Sequence, residues 1–427
     1  MSSIPRIEDF NDGFDPFRAL LTLGGEGHIH EPLVKLAEVA KKTPVFEGDL
    51  QTFFGAPRQL VLGADIPAFI VAGFDSCSHV LMNPQDFSNS AYEMHVGITF
   101  GKSITAMDAP LHDKFRRLFQ VGFMPKMLST LRPRFQDVID ELVSSFSDRG
   151  KADLVADFAK HFPFQFICDL MDLPKEDRPV FHKLAHGQTC VMFDLEHGQE
   201  ASRKLGAYLT NLIEVRRVEK SDTDFISVLA NVEIDGERLP DDVLLGFFRQ
   251  LMNAGGDTSY QSFSNILSVL FTHPEQLAAI KQERNLIPRA IEEGLRWGAP
   301  ITSLDRVTTR DLELEGVKMP KGSMVRVCIA AGNRDVKVFA DPHKFDIFRE
   351  QRRHMTFGYG PHVCIGQFLA RMELQMACNT LLDRLSNVRL DPAKPLPVIQ
   401  GLTFRGADSV HVIWDRDDEG TVNVRDY

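Results

Sequence analysis

Cys364 lies in the run Phe357-Gly-Tyr-Gly-Pro-His-Val-Cys-Ile-Gly366, where a glycine-rich turn hands the chain to an amphipathic pattern predicted helical over 365–382. A sulfur at the start of a helix sits among backbone N–H groups that lack intrahelical partners, at the positive end of the helix dipole. Both effects favour thiolate over thiol. Gly358, Gly360 and Gly366 allow a tight turn and let a flat, bulky group approach the backbone. A thiolate presented this way is a metal ligand. On haem iron it pushes electron density to the metal and favours O–O cleavage.

A second constellation is Ala254-Gly-Gly-Asp-Thr258, in the middle of a pattern predicted helical from Pro240 to Thr272. A helix of about 33 residues is about 50 Å long, enough to cross a whole domain. Two adjacent helical glycines cost about 1 kcal/mol each relative to alanine, so something must need the room. The Thr258 hydroxyl is spaced to bond back to the Ala254 carbonyl and loosen the helix. Asp257 and Thr258 together form an acid–alcohol pair suited to moving protons. Glu293 and Arg296, three apart, share one helix face, as do His112 and Arg116, four apart. Arginine binds carboxylates through its planar fork.

The elements that must position these residues follow from periodicity. A helix is predicted over 31–41, and strands among 45–75, including Gln59-Leu-Val-Leu and Ala68-Phe-Ile-Val. Residues 84–106 read as a long loop. Helices dominate 110–298, broken at Pro125, Pro133, Pro163, Pro174 and Pro179, and strands return at 303–330 and 398–414. The reading is one mainly α domain over 1–427 with a small β region and loose ends at 1–15 and 416–427. Gly24-Gly-Glu-Gly27 lacks the strand, helix and lysine of a nucleotide loop. His28 and His30 have no further ligands nearby in sequence.

The spacing F-x-x-G-x-x-x-C-x-G around Cys364 resembles the haem-ligand loop of the cytochrome P-450 family, and further motifs follow in that family's order. The resemblance implies the P-450 fold and haem b (iron protoporphyrin IX) with Cys364 as axial ligand. It also implies O2 as co-substrate, with Ala254 beside it and Asp257 and Thr258 as the proton relay. His112, Arg116, Arg306 and His362 match positions that hold the haem propionates. Glu293 and Arg296 match a buried structural pair beneath the cysteine loop, which Phe357 opens. Asn333-Arg-Asp335, Phe345-Asp346 and Arg349 match a structural segment. By the same resemblance the substrate pocket takes Met94, Val96, Ile98, Leu251, Ile301, Leu304, Leu402 and Thr403, with His95, Asn253, Thr302 and Ser303 as polar handles. The implied reaction is hydroxylation or O-dealkylation of a hydrophobic small molecule. The resemblance also implies electrons from NAD(P)H through a separate ferredoxin and ferredoxin reductase, and the protein is expected to be a monomer. Lys114, Arg117, Arg352, Arg353 and Arg371 are expected to form a basic docking patch on the cysteine side.

Bulk properties narrow the classes. The chain has 427 residues, 43% of them hydrophobic, and a net charge of −11, which disfavours non-specific nucleic-acid binding. Six scattered cysteines without a C-x-x-C pair point to a reducing, cytoplasmic setting without disulfides. No apolar run reaches the ~18 residues of a membrane span, and the polar N-terminus looks like the bacterial type of the family. Two rival readings remain. A peroxide-driven haem-thiolate enzyme would not need the acid–alcohol pair and would turn over on peroxide alone. A non-catalytic haem sensor would be indifferent to Thr258→Ala.

Overall fold

The structure is a computed structural model describing residues 5–17, 19, 26–27, 29, 31–59, 63, 65–221 and 224–416. Gly24, Gly25, His28, His30 and most of Gln59-Leu-Val-Leu lie outside the described residues, as does the tail from 417. Within the N-terminal stretch expected to be loose, Ile7 and Phe10 are buried and Arg6 pairs with Asp177, so that segment is packed down.

Helix α1 (Pro32–Ala40) precedes a β region. Strands β1 (Val45–Glu47), β2 (Ala68–Val71), β3 (Phe87–Ser88), β4 (Leu304–Thr308) and β5 (Met324–Val327) form one sheet in the order β1-β2-β5-β4-β3. β5 runs parallel to β2 and antiparallel to β4, with Val325 opposite Arg306. That register fixes where Arg306 stands. A hairpin, β6 (Ile399–Gln400) with β7 (Gly406–Ala407), lies elsewhere.

The rest is mainly helical: α2 (Leu111–Gln120), α3 (Pro125–Ser144), α4 (Phe162–Leu170), α5 (Arg178–Thr189), α6 (Leu195–Val218), α7 (Asp241–Phe271), α8 (Ile287–Trp297) and α9 (Gln367–Arg384). α7 is the central rod. It starts after Pro240, with Asp241 and Asp242 in its first turn, where carboxylates suit the dipole. α4, α5, α6 and α8 pack around it.

Two expectations need correcting, and one glycine gains an explanation. Residues 84–106 form short helical turns, at Asn89–Met94, Gly97–Phe100 and Ile104–Ala106, rather than a loop. Ser88 and Ser103 cap two of them by accepting from the Ser90 and Thr105 N–H groups. Pro133 does not break its helix: α3 runs through it, because Leu131 and Phe135 on either side are buried in the core. Pro125, Pro163 and Pro179 instead start helices, where a missing N–H costs nothing. Gly294, unexplained by helix propensity, is explained by packing: a Cβ there would stand 2.5 Å from Ile266 Cγ1, so glycine lets α8 approach α7.

Candidate active site

Cys364 opens onto a cavity walled by five parts of the chain, one of them the segment of Asn89, Tyr92, Ile104 and Thr105. α2 contributes His112 and Arg116, and β4 contributes Leu304 and Arg306. α7 contributes Phe247, Gln250, Leu251 and Ala254, and the cysteine loop adds His362 and Val363. The helical spacing of Phe115, Leu118 and Phe119 buries one side of α2 and turns His112 and Arg116 together toward the loop.

The loop is held by its backbone. Cys364 N–H donates to the Phe357 carbonyl at 2.7 Å, and Gly358 and Gly360 take φ of 76° and 73°, the left-handed region that favours glycine. A side chain at Gly360 would also come within 2.6 Å of the Leu81 carbonyl. Gly366, at φ −85°, needs no such freedom; it caps α9 and offers its N–H to Cys364.

The sulfur has accessible surface, but that surface faces the cavity, deep in the molecule. Burial therefore pushes the thiol up, outweighing the Gly366 N–H, Arg116 and Arg371, which favour the thiolate. Burial thus opposes the preference for thiolate that the helix terminus brings, and a coordinated cation would restore it.

Of the cations beside it, neither Arg116 nor Arg306 forms an ion pair among the described residues. Arg116 donates to the Val363 carbonyl at 2.6 Å and Arg306 to the Asp305 carbonyl at 2.7 Å. The His112 and His362 rings lie 3.8 Å apart. His112 Nδ1 meets Asp113 at 2.9 Å, while its buried Nε2 has no partner. Burial, then His112, Arg306 and Arg116, pushes His362 down to about 2. Such a cluster suits an anionic ligand.

On α7 the Thr258 hydroxyl donates to the Ala254 carbonyl at 2.6 Å, as expected, and Ala254 is exposed to the cavity although mid-helix. The glycines face elsewhere. A Cβ at Gly255 would stand 2.4 Å from Ile167 Cδ1 and one at Gly256 3.0 Å from Phe164, so they admit α4 and the helix stays unbroken. Asp257 also turns away from Cys364. Its Oδ2 accepts from Asn253 at 2.9 Å and meets His186 Nδ1 at 2.8 Å, beside a second cavity of about 510 Å³.

Comparison with known proteins gives the same direction. The family model for cytochrome P450 matches residues 192–403. Cytochrome P450 monooxygenase PikC of Streptomyces venezuelae is 32% identical over 78% of this chain and 83% of its own. The chain belongs to the cytochrome P450 family. The 6-deoxyerythronolide B hydroxylase of Saccharopolyspora erythraea is 32% identical over 74% of this chain and 79% of its own. The solved structure of CYP109E1 from Bacillus megaterium, in complex with testosterone, superposes with a TM-score of 0.79 at 26% identity, over 90% of this chain and 100% of that one. The protein is thus a P450 monooxygenase, membership implies haem, and no helix among the described residues is long and apolar enough to cross a membrane.

Within this P450 the expected pocket residues divide. Leu251 and Leu304 line the Cys364 cavity. Leu402 is buried among Ile29, Leu36 and Leu50, Met94 packs with Ala68 and Met324, and Ile98 is exposed. Thr403 lines the second cavity, Ile301 pairs with Phe404, and Val96 merely precedes a short helix. Their surroundings depend on the short turns of 84–106 and the hairpin, which periodicity did not resolve. Of the polar handles, His95 pairs with Asp305 at 3.0 Å and Asn253 with Asp257; Thr302 is buried, and Ser303 does not line the cavity. Gln250 and Tyr92 line the cavity and were missed. Gln250, one turn before Ala254, was legible from helical spacing.

Glu293 and Arg296 are buried and joined by two bonds of 2.7 and 2.8 Å. The expected basic patch is largely neutralised: Lys114 pairs with Glu237, Arg117 with Asp235, Arg352 with Glu350 and Arg371 with Glu292, while Arg353 covers Tyr359. All six cysteines are free.

Glu373 on α9 is buried against α7 and bonds to Ser259. Burial pushes its carboxyl up to about 8 from 4.5. The folded protein thus keeps a proton that the unfolded chain has lost, so stability falls as pH rises through that window. Glu373→Gln should therefore stabilise the protein by roughly 1–3 kcal/mol near pH 7.5 and by nothing below pH ~4. Urea midpoints measured across pH would run parallel for parent and variant if this is wrong.

Proposed function

We propose that this P450 inserts one oxygen atom from O2 into a hydrophobic small molecule, by hydroxylation or O-dealkylation, within a single haem domain. Cys364 would be the axial thiolate of haem b, and electrons would come from NAD(P)H through a separate ferredoxin and its reductase. One observation carries this reading: Cys364 shares its cavity with His112, Arg116, Arg306 and His362, and among the described residues neither arginine forms an ion pair. That set fits a flat group carrying an iron on one axis and two carboxylates at its edge.

Bound there, haem supplies the activation of dioxygen and the oxygen transfer. The chain supplies the rest. The Cys364 thiol would hold the iron as thiolate, its proton lost to the cation's charge. Arg116 and Arg306 orient carboxylates, and the His112 Nε2 without a partner gains one. Phe247, Leu251 and Leu304 keep the cavity apolar and exclude water, which favours a hydrophobic substrate. Ala254 leaves space beside the cavity. Thr258, its hydroxyl held on the Ala254 carbonyl, and Asp257 behind it form the proton relay.

The test is the absorption spectrum of the reduced protein with carbon monoxide. A strongly red-shifted Soret band supports thiolate ligation; a band typical of histidine ligation overturns it. If Thr258 belongs to the relay, Thr258→Ala should keep that band and still consume reductant, yet form several-fold less product per reductant oxidised. Equal coupling in variant and parent would remove Thr258 from the relay and favour the peroxide-driven or sensor alternatives.

A further inference from the structure

We infer that Thr105 and Gln250 form an anchor for a carbonyl oxygen, so that the substrate of the Cys364 cavity is an apolar molecule carrying a ketone, ester or lactone group. This rests on the proposed haem site and names the class of substrate that site takes. None of the polar handles expected from the sequence lines this cavity, whereas Thr105 and Gln250 do. Both are only half-buried, so each has surface to offer a ligand.

Thr105 sits in the short turn Ile104–Ala106 and is held from three sides. Its N–H donates to the Ser103 hydroxyl at 3.2 Å, its carbonyl accepts from Asn89 Nδ2 at 2.8 Å, and its hydroxyl oxygen accepts from Gln250 Nε2. Gln250 is fixed in turn, because Ser103 donates to its Oε1. Counting protons decides what the pair can recognise. The Thr105 hydroxyl has a proton of its own, and Gln250 has a second amide N–H. Neither has an acceptor among the described residues. The acceptors around them are taken: Gln250 Oε1 by Ser103, the Thr105 carbonyl by Asn89 and the Val363 carbonyl by Arg116. Asn89 Oδ1 lacks a donor, but Asn89 is only 1% exposed. Two accessible donors side by side match an oxygen that has lone pairs and no proton. A hydroxyl that itself accepts from an amide also donates more strongly.

Charge excludes the alternatives. Among the described residues no carboxylate lines the cavity, so nothing there would hold a substrate amine. Arg116, Arg306, His112 and His362 stand with the haem carboxylates in the proposed site. Tyr92 belongs with them, since its hydroxyl accepts from Asp305 N–H at 3.2 Å and from Arg306. The walls that remain for the substrate, Ile104, Phe247, Leu251 and Leu304, are apolar. Gln250 lies one turn before Ala254 on the same face of α7, about 6 Å along the axis at 1.5 Å per residue. A carbonyl held by Thr105 and Gln250 therefore presents a carbon of the skeleton, and not the carbonyl itself, beside Ala254.

A tie that only fastens the turn to α7 would treat a ketone and its hydrocarbon alike. In the haem-loaded protein, dissociation constants read from the Soret shift compare three pairs of different size: adamantanone with adamantane, cyclododecanone with cyclododecane, and androstanone with androstane. At least one ketone should bind about tenfold more tightly than its hydrocarbon, as two neutral hydrogen bonds allow. Thr105→Val, close in shape, and Gln250→Met should each cut that preference to about threefold or less and leave the hydrocarbon's affinity unchanged. Thr105→Ser keeps the hydroxyl and should keep the preference. All three variants should retain the parent's red-shifted carbon monoxide band. A parent that prefers no ketone over its hydrocarbon would overturn the inference. So would a preference that survives Thr105→Val and Gln250→Met, or an equal weakening of ketone and hydrocarbon, which would leave the pair a purely structural role. Absence of the red-shifted band in the parent would instead overturn the proposed function itself.

Discussion

Cys364→Ser should fold, bind haem in the same cavity, and lose both the red-shifted carbon monoxide band and reductant-driven oxygenation, the latter by at least about a hundredfold. The loop that carries residue 364 is shaped by the Cys364 N–H bond to Phe357, the left-handed Gly358 and Gly360, and Arg116 on the Val363 carbonyl. None of these uses the sulfur, so the serine should sit where the cysteine did. Arg116, Arg306, His112 and His362 also remain, so under the proposed site the carboxylates of the haem would keep their partners. What would change is the atom offered to the iron. A thiol already pushed up by burial still yields a thiolate to a cation, whereas an alcohol is a far weaker acid and a harder, less donating ligand. Near-ultraviolet circular dichroism would establish that the variant is folded. A variant that keeps both the band and the activity would return Cys364 to the role of a buried structural thiol.

The residues legible in the sequence were those whose partners lie within one element or one turn. The three-residue spacing of Glu293 and Arg296 and the Thr258 bond to Ala254 each depend on local geometry, and both contacts are present. The bounds of α7 followed from Pro240 and Pro274 for the same reason. Residues whose position depends on how distant elements pack were not legible. Leu402 and Met94 point into separate clusters because the hairpin and the turns of 84–106 are set by tertiary contacts. The two adjacent glycines were read as making room for something, and at Gly255 the side chain that claims it is Ile167 of α4, nearly ninety residues away in sequence. Asp257 is the clearest case. Its neighbour Thr258 makes the expected bond to Ala254, yet the direction of Asp257 is decided by His186, which no motif marked.

Arg296→Leu should cost about 3–5 kcal/mol of stability, because it leaves a buried carboxylate without its main counter-charge. Both Glu293 and Arg296 have side chains only 2% exposed. Arg296 also gives its remaining donors to the carbonyls of Asn333, Pro342 and Lys344, at 2.9, 2.9 and 3.2 Å. Those carbonyls belong to the segment leading toward the cysteine loop, where Asn333 receives the Met355 N–H and donates to Thr356. Thr356 in turn bonds to the Leu295 carbonyl of α8, which closes the circuit. The loss should therefore extend beyond a lower denaturant midpoint to weaker haem retention, since the loop carrying Cys364 is held by the same circuit. Arg349, at 3.2 Å from Glu293, offsets part of the loss of charge but cannot reach all three carbonyls. Glu293→Leu combined with Arg296→Leu should be less destabilised than the sum of the single variants, as no charge is then left unpaired. Denaturant midpoints and haem loss to apomyoglobin would check both statements, and a single variant within about 0.5 kcal/mol of the parent would show that the pair is dispensable.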